Sequence, residues 1–336
     1  MQVIRLLGLP FSLLYSCVLY MRNRFYDWGI LKSSKTPIKS IVVGNLSLGG
    51  TGKSPMVEYL IRHFISKEDI AMVSRGFGRK TQGMIIGSPK SSASDIGDEP
   101  MQILGKFPSI RLIVDSNRNN ALDHASETKC SLAILDDAYQ HRAVAGDCNI
   151  LLTRFDRPWF SDRVIPSGTL RDHPRERNRA NIVVVTNSPT SLSEKERITF
   201  SDKLRVNCPV YFASTVYLPL RNVFTNEEQS WPKKVVVLSG IANPSALITE
   251  ITSHSLMLNH LKFPDHHAFS PNDIKKLRDI IGSFADPDVA LITTEKDTCR
   301  LQEFENELVG ITVLVLPIQI NIHDDANFKR CLDQKL

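Results

Sequence analysis

The sequence has no Cys-x-x-Cys pair: its six cysteines, at 17, 130, 148, 208, 299 and 331, are scattered, and no histidines gather near them at zinc-ligand spacing. This excludes a zinc-stapled or disulfide-framed scaffold and points to a reducing compartment. Also missing is an apolar run of the roughly 20 residues needed to cross a hydrocarbon core. The longest candidate, Leu6 to Met21, is sixteen uncharged residues between Arg5 and Arg22. No Ala-x-Ala cleavage site follows it, so removal as a signal peptide is not expected. The chain carries no recognition helix, zinc finger or aromatic RNA-binding signature, which argues against nucleic acid as a partner. Repeats and low-complexity tails are absent too.

What is present is enough chain for more than one core. At 336 residues it exceeds the roughly 100–200 typical of one domain, so two domains are expected. The net charge of +5 is unevenly placed: Arg22, Arg24, Lys32, Lys35 and Lys39 share a short stretch whose only acid is Asp27. With Tyr15, Tyr20, Tyr26 and Trp28 nearby, this pattern suits an interfacial helix on an anionic membrane surface, best formed after Pro10. A helix buried against the protein's own core remains the alternative.

Ile41-Val42-Val43 reads as a buried strand, Gly44 to Gly52 as a glycine-rich turn, and Lys53 through Phe64 as an amphipathic helix. That is the order a P-loop requires. Residues 47–54, Ser-Leu-Gly-Gly-Thr-Gly-Lys-Ser, match the Walker pattern except that Ser47 replaces the first glycine. Backbone N–H groups around Gly49, Gly50, Thr51 and Gly52 can converge on phosphate oxygens. Lys53 can reach the β- and γ-phosphates of ATP, and the Ser54 hydroxyl can ligate Mg2+. A second strand, Leu132 to Leu135, ends in Asp136-Asp137, one of which should serve the metal; sequence alone does not say which.

Further apolar runs at 70–73, 112–114, 182–185, 235–238 and 289–292 are separated by helix-length segments. The fold class expected is α/β: a P-loop NTPase-like parallel sheet with helices on both faces, plus a smaller α/β second domain. Ligands should gather at the carboxyl ends of the strands. Two look-alike segments, Val216 to Leu220 and Val313 to Ile318, are expected to pair as a two-stranded connector. The expected organisation is a membrane-associating helix at 1–33, a kinase domain at 34–224, the smaller domain with its connector strands at 225–322, and a C-terminal helix at 323–336.

The chain resembles the tetraacyldisaccharide 4'-kinase family through ordered motifs. They are residues 43–55 around the phosphate loop, Ser-Arg-Gly-Phe-Gly-Arg at 74–79, Gly-Asp-Glu-Pro at 97–100 and Leu-Asp-Asp-Ala-Tyr-Gln-His at 135–141. Ser-Gly-Ile-Ala-Asn-Pro at 239–244, Phe-Pro-Asp-His-His at 263–267 and Thr-Glu-Lys-Asp at 294–297 continue the order. The family also has a hydroxyl residue where Ser47 stands. The resemblance implies an ATP- and Mg2+-dependent kinase that acts on the 4'-hydroxyl of a lipid-linked disaccharide 1-phosphate. It further implies a monomer at the cytoplasmic face of the inner membrane of a Gram-negative-type envelope.

By the same resemblance, Lys53 and Ser54 serve nucleotide and metal, Asp136 and Asp137 the metal, and Asp98 with His266 form the catalytic pair. Arg75, Arg118 and Arg171 are candidates for the acceptor's phosphate. Asp172 stands where the family is expected to carry glutamate. Read from residues alone, Asp98 could equally cap a helix starting near Pro100, and His266 could be a surface residue. Two rival classes fit less well. A partition-type ATPase switch would need lysine where Leu48 stands, and a small GTPase would need the asparagine that 294–297 lacks.

Overall fold

The computed structural model describes residues 8–336; Met1 to Leu7, including the Arg5 and Leu6 that open the apolar run, lie outside the described residues. Strands form where β-branched and aliphatic runs are short and continuous. Ile70–Ser74, Leu132–Leu135 and Ile182–Thr186 are buried at every position, as expected for strands covered on both faces. Nine strands make the larger sheet. Its spatial order is Ile318–Ile322, Val210–Tyr217, Ile182–Thr186, Cys148–Arg154, Lys39–Asn45, Leu132–Leu135, Ile70–Ser74, Arg111–Val114, Ile85–Ile86. The inner seven run parallel and each edge strand is antiparallel.

Alternate residues of each strand feed opposite cores. Ile41, Val43, Met72 and Ile134 join Met56, Leu60 and Phe64 of the helix Lys53–Phe64, whereas Val42, Val73 and Leu135 join Ala121 and Leu122 of the helix Arg118–Glu127. Leu60 is wholly buried, so truncating it to alanine costs about 2–5 kcal/mol.

The smaller sheet has six strands, in the order Glu228–Gln229, Leu220–Asn222, Val313–Val315, Ala290–Thr293, Lys234–Ser239, Leu256–Lys262, with its own two cores. The two look-alike segments meet, and their pairing is divided between the sheets. Tyr217 is opposite Ile318 in the larger and Arg221 opposite Val315 in the smaller. Between them the Leu218 N–H donates to the Pro317 carbonyl at 2.9 Å. The smaller sheet therefore begins before Thr225 and ends before Ile322, since the chain crosses at Leu218-Pro219 and Leu316-Pro317.

The helix Leu9–Asp27 starts with Pro10 in its first turn, where a missing N–H costs nothing. Its buried residues are Ser12, Leu19 and Asn23, while Phe11, Leu13, Leu14 and Val18 point outward. The docked stripe is largely polar: the Ser167 N–H donates to Ser12 Oγ at 2.9 Å, and Asn23 Nδ2 donates to Asp172 at 3.0 Å. Leu19, with Tyr15 beside it, does pack on the protein's own core, but the larger apolar face is the outward one. Among the described residues no helix is long and apolar enough to cross a membrane. A last helix, Asp325–Lys335, covers the helix Lys53–Phe64, with Phe328 packed on Tyr59.

Candidate active site

The glycine loop follows strand Lys39–Asn45 and leads into helix Lys53–Phe64 at the carboxyl edge of the larger sheet. Gly52 sits at φ 82°, a left-handed conformation that a side chain would strain. The loop is braced from outside: the Leu48 N–H donates to the Thr169 carbonyl at 2.7 Å, and the Thr186 hydroxyl donates to the Thr51 carbonyl at 3.0 Å. Lys53 and Ser54 open the helix, where free N–H groups and the helix dipole favour anions.

Asp136 and Asp137 are neighbours with opposite fates. Asp136 is buried and its Oδ1 has no hydrogen-bond partner. Burial, then the nearby Glu99 and Asp137 charges, push its carboxyl well above the usual range. Asp137, expected beside it as a metal ligand, has both carboxylate oxygens taken by Arg171, with Lys53 Nζ 3.7 Å away. Burial pushes its carboxyl up, but the Arg171 hydrogen bonds and the Lys53 charge overcome this and hold it below the usual range. Asp137 is thus held by protein cations, whereas the Asp136 oxygen is unpartnered. Arg171 also donates to Asn45 Oδ1 at 2.6 Å, which ties the loop after residue 163 to the base of the phosphate loop.

Sequence reasoning did not assign Glu99 or Lys296. Glu99 forms an ion pair with Lys296 at 2.9 Å. Burial raises the Glu99 carboxyl, but the Lys296 ion pair and the Lys53 charge bring it below the usual range. Burial likewise works against the Lys296 charge, and Glu99 outweighs it. The signal lay in Gly-Asp-Glu-Pro and Thr-Glu-Lys-Asp, but nothing local says that a carboxylate and an ammonium from these motifs will meet.

Asp98 and His266 come together across 168 residues, with His266 Nδ1 2.9 Å from Asp98 Oδ2. Arg300 joins them: its Nε donates to Asp98 Oδ1 at 3.0 Å, and a terminal nitrogen bonds Oδ2. Burial would raise the Asp98 carboxyl, yet the hydrogen bonds from His266 and Arg300 hold it down at about 2. An ionised Asp98 only accepts, so His266 Nδ1 carries a proton and donates to it, which leaves Nε2 as the nitrogen that Asp98 does not engage. Asp98 also occupies the first turn of helix Asp98–Lys106, so it serves a helix start as well.

The three arginines converge without forming one set. Arg171 is committed to Asp137, whereas Arg75 is exposed and Arg118 buried. Burial, then the charges of Arg118, Arg22 and Arg75, lower the pKa of His141, whose buried Nε2 has no partner. Arg22 reaches this place from the N-terminal helix, donating to the Gln140 carbonyl at 2.9 Å. Asp172 is wholly buried: its Oδ1 accepts from Asn23, and its Oδ2 is free of partners.

A parallel sheet with a glycine-rich, Lys-Ser-ended loop at its carboxyl edge, an unpaired acid after the adjoining strand and an imidazole–carboxylate pair are the parts of a P-loop phosphotransferase. A family model described as Tetraacyldisaccharide-1-P 4'-kinase matches residues 4–336, and the chain belongs to that family of kinases.

Among its relatives, the Tetraacyldisaccharide 4'-kinase of Flavobacterium johnsoniae is 38% identical over 98% of this chain and 96% of its own. That of Bacteroides thetaiotaomicron is 34% identical over 93% and 88% respectively. A crystal structure of LpxK from Aquifex aeolicus in complex with ATP is similar at a TM-score of 0.79 and 27% identity, covering 99% of both chains.

Proposed function

We propose that this chain transfers the γ-phosphate of ATP to the 4'-hydroxyl of a tetraacyldisaccharide 1-phosphate, giving the bis-phosphorylated lipid A precursor. The observation that carries this reading is the His266–Asp98 pair held at 2.9 Å beside a complete phosphate loop, in a chain of the kinase family. Lys53 neutralises phosphate charge, and loop N–H groups from Gly49 to Gly52 orient the triphosphate. His266 Nε2 accepts the acceptor hydroxyl's proton while Asp98 fixes the tautomer.

Mg2+ fits the donor set of Ser54, Glu99 and Asp136 and would neutralise charge on the phosphate oxygens. Among the described residues no three His, Cys, Asp or Glu side chains form a cage of their own, which suits an ion held by few carboxylates plus substrate phosphates. Asp137 instead orients Arg171 and Lys53. Arg75, Arg118 and the unpartnered His141 nitrogen serve the acceptor's own phosphate.

The acceptor is embedded in a membrane, and the outward apolar face of helix Leu9–Asp27 supports docking of a monomer on the cytoplasmic leaflet of the inner membrane. The chain then works as a membrane helix within 1–33, a kinase domain, a smaller domain that delivers His266, and a C-terminal helix.

The test is transfer of labelled γ-phosphate to detergent-solubilised tetraacyldisaccharide 1-phosphate. Mg2+-dependent product from the native chain, reduced by about 100-fold or more in Lys53→Ala and in His266→Ala, is expected. ATP hydrolysis stimulated by membranes with no phosphorylated lipid would overturn the acceptor.

A further inference from the structure

The smaller domain contributes more than His266. Its helix Glu295–Leu301 lies along helix Asp98–Lys106, and three ion pairs cross between them: Glu295 with Lys106 at 2.6 Å, Lys296 with Glu99 at 2.9 Å, and Arg300 with Asp98. The third differs in kind from the first two. Arg300 spends each edge of its guanidinium on a different part of the pair beside it. Nε and one terminal nitrogen grip both oxygens of Asp98, and that same nitrogen lies 3.3 Å from His266 Nδ1. The other terminal nitrogen donates to the His267 carbonyl at 3.0 Å.

The last contact bears on the base directly. His266 stands at φ 60°, a left-handed conformation that costs a non-glycine residue roughly 1 kcal/mol; the His267 N–H that follows it donates to the Pro264 carbonyl at 3.2 Å, and the His267 carbonyl needs an anchor of its own. Arg300 supplies one. From the other side His267 Nε2 meets Asp273 at 3.1 Å, within the capping box that opens helix Pro271–Ser283.

We infer that Arg300 is a positioning residue for phosphoryl transfer, one that fixes the carboxylate of Asp98 and the backbone carrying His266 in a single geometry. The inference rests on the reading of Asp98 and His266 as the catalytic pair. A lysine could not do the same, because a single ammonium cannot present three donors in a planar fork. A plain inter-domain ion pair would need neither the bidentate grip nor the His267 carbonyl. The other groups facing His266 leave its Nε2 uncommitted: Asp265 is 3.9 Å from it, and the Phe77 ring lies edge-on with centroids 5.6 Å apart.

The experiment uses the full-length chain with ATP and detergent-solubilised tetraacyldisaccharide 1-phosphate, comparing native, Arg300→Ala, Arg300→Lys and His266→Ala. In Arg300→Ala kcat should fall by about 10- to 100-fold, with nucleotide affinity unchanged to within about twofold. Added guanidinium ion, at concentrations below those that unfold the native chain, should restore part of the lost rate in Arg300→Ala and none in His266→Ala.

Native-like kcat in Arg300→Ala beside an inactive His266→Ala overturns the inference and leaves the catalytic pair standing. Loss of rate together with nucleotide affinity and melting temperature, without rescue, also overturns it, as that marks a merely structural ion pair. A fully active His266→Ala removes the pair and the inference together. Should Arg300→Ala fail to fold, Arg300→Lys decides: a slowed kcat at native melting temperature supports the role, and a native kcat overturns it.

Discussion

The phosphate loop and the Asp98–His266–Arg300 cluster sit in one site but are built in opposite ways. The first is local: strand, turn and helix follow one another within residues 39–64, and its braces from Thr169, Arg171 and Thr186 come from around the same sheet. The second is assembled at range, with Arg300 reaching Asp98 across 202 residues and from the other sheet. A local motif keeps its geometry whenever its own domain folds. A cross-domain cluster exists only while both domains hold their mutual pose, so the two halves of the site should fail in different ways.

The largest expected effect separates binding from transfer. Lys53→Ala should abolish both nucleotide binding and phosphoryl transfer, whereas His266→Ala should cut transfer by about 100- to 10,000-fold and leave nucleotide binding intact. Calorimetric titration with ATP, run beside the transfer assay, checks this. Equal loss of binding in both variants would erase the distinction.

Next comes Lys106→Met, which tests the inter-domain joint away from the chemistry. Lys106 lies 2.8 Å from Glu58 and 2.6 Å from Glu295, and Glu58 is almost fully buried. Removing the ammonium leaves the half-buried Glu295 without its cation and Glu58 with Arg62 as its cation at 3.0 Å, at a cost of roughly 1–3 kcal/mol. Denaturant unfolding should show the loss, and the transfer rate at low temperature should fall more than nucleotide affinity does.

The smallest effect is a pH dependence. With Asp98 at about 2 in the folded protein against 3.8 for a free aspartate, the ion pair adds stability that is fully present above about pH 4. That stability, roughly 2 kcal/mol, is lost as pH falls through the folded value. The stability gap between the native chain and Asp98→Asn should therefore narrow from pH 5 toward pH 2. A constant gap in urea titrations would mean that Asp98 does not carry the ion pair.

The same contrast explains what was legible beforehand. The buried strands, the glycine turn and the helix after it follow from periodicity and residue type within short windows. The parallel order of the sheet follows from alternation with helices. The look-alike segments 216–220 and 313–318 could be matched by pattern, but not the way their pairing splits between two sheets.

Asp136 and Asp137 were indistinguishable as a sequence pair, because only the approach of Arg171 decides which carboxylate is engaged. Glu99, Lys296 and Arg300 stand in or just beyond recognised motifs. Their partners, however, are set by how two helices from different domains lie against each other, which no local window contains. The outward face of helix Leu9–Asp27 could be anticipated from its aromatic and basic flanks; its attachment through Asn23 to Asp172 could not.

Because the chain leaves the larger sheet after Tyr217 and rejoins it at Ile318, the smaller domain is an insert between two strands that would otherwise be a plain hairpin. This fixes an order of assembly on the ribosome. The helix behind the phosphate loop, made early, keeps its Tyr59 side uncovered until Asp325 and Phe328 are synthesised near the end of the chain. The N-terminal helix, with its apolar side outward, emerges first of all the described elements. That apolar side is thus exposed well before the nucleotide site is closed.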